Sequence, residues 1–130
     1  MVVDVKRAFL HGYCTRSVYI ELPRAESQGG EICWQIVRAL YGTRDAPLAW
    51  LTVIKSDMTK MGFMECKVTN GVFTHPERDL RVVVHADDFL LSGEDHQLQW
   101  FGDHIIKTYE LKFQVAGWGR EDHKGLSFLG

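Results

Sequence analysis

The stretch RVVVHADDFLLSG, Arg81 to Gly93, places two adjacent aspartates between two apolar runs. Val82 to Val84 have the character of a buried strand and Phe89 to Leu91 that of its return strand, so His85 to Asp88 are predicted to form a tight turn. Such a hairpin would hold two carboxylates out from a rigid β scaffold, which is a common way to build a divalent-metal site. The same residues also suit a plain solvated turn, because aspartate favours turns through local hydrogen bonds.

A second acid and a glycine turn extend this pattern. In MVVDVKRAFLHG, Asp4 follows two valines and precedes Val5, so it lies at or near the end of a short strand. In LYGTRDAPLAW, Leu40 to Trp50, a glycine turn precedes a helix that begins at Asp45 to Pro47. Three elements of this kind, in this order, are specific in combination.

These strings resemble the reverse transcriptase of copia-type retrotransposons. That family reads D-V-K-x-A-F-L-H-G at its first catalytic motif, L-Y-G-L-K-Q-x-P-x-x-W at its nucleotide-site turn and Y-V-D-D at its metal hairpin, and it closes with F-L-G. The corresponding strings here, in family order, are DVKRAFLHG (Asp4 to Gly12), VYIELP (Val18 to Pro23), LYGTRDAPLAW, VVVHADDFLLSG and LSFLG (Leu126 to Gly130). The resemblance therefore runs along the whole chain.

The resemblance implies an RNA-directed DNA polymerase that transfers a nucleotide from a dNTP to a primer 3′-hydroxyl with two Mg²⁺ ions, for which Mn²⁺ can substitute. It implies that Asp4, Asp87 and Asp88 are the catalytic and metal-binding carboxylates. The backbone carbonyl of Val5 is a further expected metal ligand. The alternative for each acid, taken singly, is a solvated or helix-capping role.

The resemblance also implies residues that bind nucleotide and primer. Phe9 would lie beneath the incoming sugar, although an ordinary core phenylalanine fits the same position. The other expected nucleotide-binding residues are Tyr41, Gly42, Arg44 and Lys6, against the alternatives of a turn leading into a helix and of solvated charges. Lys124 is a candidate general acid, or a solvated lysine, and Phe128, Leu129 and Gly130 would form the primer grip.

Two departures from the family pattern stand out. His85 and Ala86 replace the usual Tyr and Val, and TRD replaces L-K-Q, which puts the charge of Asp45 near a phosphate site unless that residue caps the helix. A histidine beside acids could indicate a metal phosphohydrolase. Such sites need further histidines, however, and the sequence has no H-x-x-x-H or H-D pair.

The coarse architecture is α+β. Hairpin strands are predicted at Val18 to Leu22 and Cys33 to Val37, and a strand at Leu111 to Val115. The first helix, capped by Asp45, would bury Leu48, Leu51, Ile54, Met58 and Met61; the second, capped by Asp95, would bury Leu98, Phe101, Ile105, Ile106 and Tyr109. The prediction is a polymerase-palm-like antiparallel sheet with two helices on one face, the split β-α-β arrangement of ferredoxin-like and RRM-like domains.

Composition sets the remaining expectations. The 130 residues carry a net charge of −2, which argues against a large electrostatic footprint for nucleic acid. Three cysteines without C-x-x-C spacing and the lack of an apolar run of about 18 residues fit a soluble intracellular protein that is not secreted and has no membrane partner. The resemblance adds a cytoplasmic retrotransposon particle, or the nucleus, as its location.

We expect residues 1–130 to form a single, partial palm domain that lacks the N-terminal fingers, the thumb and RNase H. Its expected partners are an RNA or DNA template-primer, dNTPs and the rest of the retrotransposon polyprotein. One alternative is a truncated or degenerate relic that folds without polymerising. Another is an RRM-like RNA-binding module, which the lack of aromatic RNP strings and of a basic face disfavours.

Overall fold

A computed structural model describes residues 1–23 and 32–116, in which strands and helices follow the predicted order. The elements are β1 (Val2–Val5), a short 3₁₀ helix (Ala8–His11), β2 (Tyr13–Glu21), β3 (Cys33–Arg38), α1 (Ala46–Lys60), β4 (Met64–Glu65), β5 (Val72–His75), β6 (Leu80–His85), β7 (Asp88–Ser92), α2 (Asp95–Ile105) and β8 (Leu111–Gln114). The α+β prediction is confirmed.

Six strands form one antiparallel sheet in the order β4-β5-β6-β7-β1-β8. The sequence LRVVVH of β6 alternates with a period of two: Leu80, Val82 and Val84 are buried, and the residues between them are exposed. One face of this strand therefore packs against the core. Strand β1, which carries Asp4, is inserted between β7 and β8. The sheet therefore brings the start of the chain beside the hairpin that holds the aspartate pair.

Both helices pack on the same face of this sheet. The α1 residue Trp50 contacts Phe89, with ring centroids 6.4 Å apart. Phe89 pairs across the strands with Val3, which pairs in turn with Phe113, so these three side chains share a face. A Cβ placed on Gly102 of α2 would lie 3.6 Å from the Phe113 ring. The opposite face, which carries Asp4, is open.

The buried stripe of each helix differs from the predicted one. In α1 the buried residues are Ala46, Ala49, Trp50, Ile54 and Met58. Leu48 is 65% exposed, so its predicted burial was wrong. In α2 the predicted burial of Ile106, which is 56% exposed, was also wrong. The other α2 residues named, together with Tyr109, are buried.

The predicted cap position of α1 is confirmed, although its capping hydrogen bond is absent, and the predicted cap of α2 was wrong. Asp45 occupies the N-cap position of α1 but makes no capping hydrogen bond, because its carboxylate instead pairs with the Arg16 guanidinium at 2.6 Å. The cap position of α2 is Glu94, and Asp95 belongs to the first turn. Asp45 is therefore neutralised by an ion pair rather than by a helix terminus.

The predicted hairpin of β2 and β3 forms a separate two-stranded sheet. It places Val18 opposite Ile36 and Ile20 opposite Trp34. Among the described helices, none is long and apolar enough to cross a membrane.

Candidate active site

The two aspartates of the hairpin lie at a two-residue turn. His85 and Asp88 form the last pair of β6 and β7, which leaves Ala86 and Asp87 as the turn, here called the acidic turn. Ala86 has a φ of 52°, a left-handed value that glycine adopts more readily than alanine. A positive φ at the first of the two central residues is the pattern of a type II′ turn. The alanine therefore holds a strained backbone immediately before Asp87.

Asp4 and Asp88 are direct cross-strand partners in β1 and β7. Other pairs of these strands are joined by backbone hydrogen bonds: Val5 N–H donates to the Asp87 carbonyl at 2.9 Å, and Leu91 N–H donates to the Met1 carbonyl at 2.8 Å. Because bonded and non-bonded pairs alternate, Asp4 and Asp88 form a non-bonded pair, with Cα atoms about 4.5 Å apart. Both carboxylates therefore leave the sheet on its open face, side by side.

Asp87 is hydrogen-bonded to Tyr41, one of the residues predicted to bind nucleotide. Tyr41 donates a hydrogen bond from its hydroxyl to Oδ2 of Asp87, at 3.4 Å. Burial, together with the negative charges of Asp87 and Asp4, raises the pKa of this hydroxyl. Tyr41 therefore contacts the acidic turn directly.

Phe9 contacts Tyr41, which lies in the turn before α1. Phe9 is 9% exposed, and its ring lies 4.4 Å from that of Tyr41. Thr43 N–H bonds to the Leu40 carbonyl at 3.0 Å, and Gly42 has a φ of 85°, as expected for the third residue of a type II turn. The glycine is thus required by the backbone conformation, and the space beside it is open.

The two basic residues expected to bind nucleotide, Arg44 and Lys6, differ in their surroundings. Arg44 is exposed beside the Tyr41–Gly42 turn. Lys6 and Arg7 each bind the Glu110 carboxylate, at 2.5 and 2.6 Å. Lys6 is therefore already paired with an acid, and its ammonium keeps further N–H donors for another partner.

Trp50 and His11 also support the site, although sequence reasoning gave neither a role. The indole N–H of Trp50 donates to the Ala86 carbonyl at 2.6 Å, and the ring is 1% exposed. The His11 ring lies 5.9 Å from the Trp50 ring and 4.8 Å from that of Tyr109. Trp50 ends the string LYGTRDAPLAW, which was the available signal, but nothing in the sequence indicated its contact with the turn.

The chemistry of the donors fits Mg²⁺, which prefers carboxylate and carbonyl oxygen. Val5 bonds to the acidic turn through its amide, so its carbonyl also faces β7. Within residues 1–23 and 32–116, however, no group of three or more Asp, Glu, His or Cys residues is arranged to hold a metal ion. The predicted roles of Lys124, Phe128, Leu129 and Gly130 lie outside the described residues.

The fold and the site together define an α+β protein in which Asp4 and Asp88 pair across neighbouring strands of an antiparallel sheet. The reverse transcriptase (RNA-dependent DNA polymerase) family matches residues 1–117. The chain belongs to this family, which confirms the resemblance to the reverse transcriptases of copia-type retrotransposons.

The relatives are transposon proteins. The chain is 29% identical over 132 residues to the retrovirus-related Pol polyprotein from transposon RE1 of Arabidopsis thaliana, covering 98% of this chain and 8% of that polyprotein. It is 24% identical over 115 residues to a putative transposon Ty5-1 protein of Saccharomyces cerevisiae, covering 85% of this chain and 37% of that protein. It is 27% identical over 118 residues to the Pol polyprotein from transposon TNT 1-94 of Nicotiana tabacum, covering 85% and 9%. No solved structure gives a significant match.

Proposed function

We propose that the chain is the palm part of an RNA-directed DNA polymerase, with residues 1–130 as a single domain. The observation that carries the proposal is the cross-strand pairing of Asp4 with Asp88 beside the acidic turn that holds Asp87. The backbone brings these three aspartates onto two adjacent strands and the turn that precedes one of them. Family membership supports the same conclusion.

The site would hold two divalent cations, Mg²⁺ or Mn²⁺, on carboxylate oxygens of Asp4 and Asp87, with Asp88 and the Val5 carbonyl completing it. When bound, such a pair lowers the pKa of the primer hydroxyl and stabilises charge on the triphosphate. Two like charges directly opposite each other on neighbouring strands are destabilising, and bound cations would offset that repulsion. The rigid sheet keeps the carboxylates close before the cations arrive.

The remaining residues would orient the substrates. Tyr41, which is about half exposed, would form a wall against the sugar of the dNTP, and the buried Phe9 ring would support it from behind. The exposed guanidinium of Arg44 would meet its phosphates or the template. The RNA or DNA template-primer would lie across the open face, and the rest of a retrotransposon polyprotein would supply further contacts. We place the protein inside the cell, in a retrotransposon particle.

The test is template-primed dNTP incorporation with Mg²⁺ or Mn²⁺, using the chain alone and the chain within its longer reading frame. Asp4→Asn and Asp87→Asn should each abolish incorporation. Asp79→Asn is the matched control, because Asp79 lies in the turn just before β6, its side chain is 83% exposed, and it pairs with Arg81. Incorporation that survives in both test variants would overturn the roles of Asp4 and Asp87. Its absence from both folded wild-type proteins would favour a relic that folds without polymerising.

A further inference from the structure

The acidic turn is held from the side of the helices by one indole group. The Trp50 N–H donates to the Ala86 carbonyl at 2.6 Å. This bond is shorter than the one from the Tyr41 hydroxyl to the Asp87 carboxylate, which measures 3.4 Å. The Asp87 carbonyl is already bound to Val5 of β1. The two carbonyls of the turn are therefore fixed by different elements, one by the sheet and one by α1.

A close backbone contact fixes the position of Trp50 itself. A Cβ at Gly12 would lie 2.8 Å from the Ala49 Cβ and 3.0 Å from the Trp50 nitrogen, so only glycine lets the chain approach α1 here. Phe89 and Tyr109 each meet the Trp50 ring edge-on, at centroid distances of 6.4 and 5.4 Å. An indole packed in this way has little freedom to follow a moving turn.

The hydrogen bond acts where the backbone is strained. A left-handed conformation costs an L-residue about 1–2 kcal/mol relative to its preferred regions. Ala86 adopts this conformation immediately before Asp87, and rotation of the Ala86–Asp87 peptide would redirect the Asp87 carboxylate. A donor held by a rigid core opposes that rotation. The ring of a phenylalanine would keep an aromatic group at this position but is smaller than the indole and could not donate the bond.

We propose that Trp50 is a positioning residue for the metal-binding carboxylate of Asp87, acting through its indole N–H on the Ala86 carbonyl. The inference rests on the proposed function, because it assumes that Asp87 binds a divalent cation. Groups that orient metal ligands from outside the coordination shell typically change metal affinity by about 10–100-fold when they are lost. The effect expected of Trp50 lies in this range.

The experiment measures Mn²⁺ binding to the chain by the electron paramagnetic resonance signal of the free ion, so that it does not depend on polymerase activity. Trp50→Phe should weaken binding about tenfold. Trp100→Phe is the matched control, because Trp100 lies on α2 and packs against Phe63, His75 and Arg78, away from the acidic turn. It should bind Mn²⁺ within about twofold of the wild type, since no group near the carboxylates changes. Equal binding by Trp50→Phe and the wild type, or equal weakening in both variants, would overturn the inference.

Asp87→Asn separates this inference from the proposed function. If the wild type binds Mn²⁺ and Asp87→Asn does not, the metal site stands, and the Trp50→Phe result judges the inference alone. If Asp87→Asn binds as the wild type does, the metal site itself fails. Should Trp50→Phe not fold, the NMR resonance of the Trp50 indole N–H in the wild type is followed instead. A shift of this resonance on adding Mg²⁺ that is absent in Asp87→Asn supports the inference. A resonance that does not move overturns it.

Discussion

Asp4 of β1 lies directly between Asp88 of β7 and Lys112 of β8, and the three residues form one row across the open face of the sheet. The aspartate therefore has a like charge on one side and an opposite charge on the other. Cross-strand charge pairs contribute about 0.2–1 kcal/mol in either direction. Without a cation, the two effects on Asp4 should nearly cancel.

This balance predicts the behaviour of Asp4→Asn. In the absence of divalent cations, the free energy of unfolding should change by less than about 0.5 kcal/mol, because repulsion and attraction are lost together. Mg²⁺ should stabilise the wild type, since a ligand of the folded state raises its stability in proportion to the logarithm of its concentration, but it should not stabilise the variant. Urea unfolding at several Mg²⁺ concentrations measures both effects. Equal stabilisation of the two proteins would contradict a metal role for Asp4.

The strained turn gives a second prediction. Ala86→Gly should raise the free energy of unfolding by about 0.5–1 kcal/mol, because relief of the left-handed strain exceeds the added entropy of the unfolded chain. Ala39→Gly is the control, since Ala39 is 2% exposed and is not among the residues with positive φ. Ala39→Gly should lower the free energy of unfolding by about 1 kcal/mol. Thermal or urea unfolding checks both variants, and destabilisation by Ala86→Gly would show that the turn is not strained.

The sheet could be predicted because its signal is local. The alternation in LRVVVH and the acids between two apolar runs indicate strand, turn and strand without knowledge of the rest of the chain. Strand pairing was harder to predict from the sequence, because the insertion of β1 between β7 and β8 joins residues that are far apart in the chain. Asp4 was nevertheless expected beside the aspartate pair, because the family resemblance implies that long-range pairing, and the pairing of Asp4 with Asp88 agrees with it. The metal-binding role of these acids stays a prediction.

The helix faces could not be predicted reliably for the same reason. Leu48, Leu51, Ile54 and Met58 share helical spacing, but Ala49 and Trp50 begin a competing stripe that also includes Ile54 and Met58. The contact of Gly12 with Ala49 selects the second stripe. Likewise, the bond from Trp50 to Ala86 links residues 36 apart and has no local pattern.

The close contact between Gly12 and Ala49 predicts different costs for two glycine substitutions. Gly12→Ala should lower the free energy of unfolding by about 1–3 kcal/mol, because the new methyl group overlaps Ala49 and pushes α1 away. A Cβ at Gly42 would have no atom within 4 Å, so Gly42→Ala should lower the free energy of unfolding by only about 1 kcal/mol, the cost of the positive φ. Gly12→Ala should also expose the Trp50 indole, which hydrogen exchange at Nε1 would detect. Similar exchange rates in the two variants would argue against a close fit at Gly12.

The last prediction concerns Tyr109, which follows α2 and reaches back to α1. Its hydroxyl donates to Oδ2 of Asp57 at 2.5 Å, and the tyrosine is 4% exposed. Burial alone would raise the pKa of Asp57, but the hydrogen bonds from Lys60 and Tyr109 outweigh it and hold the pKa below its usual 3.8. A carboxyl group with a lowered pKa in the folded state stabilises the protein above its unfolded pKa, and this stabilisation is lost as the pH falls through the folded value.

Tyr109→Phe keeps the ring against Trp50 and His11 but removes the hydroxyl donor. At pH 7 the free energy of unfolding should fall by about 1–2 kcal/mol, as expected for a hydrogen bond to a charged group. The difference from the wild type should be constant between pH 7 and about 5, and it should shrink below about 4 as Asp57 takes up a proton. Urea unfolding across this range measures it, with Tyr19→Phe, whose tyrosine is 58% exposed, as the control. A difference that stays unchanged to the lowest pH at which both proteins fold would mean that the hydroxyl stabilises through packing rather than through the Asp57 charge.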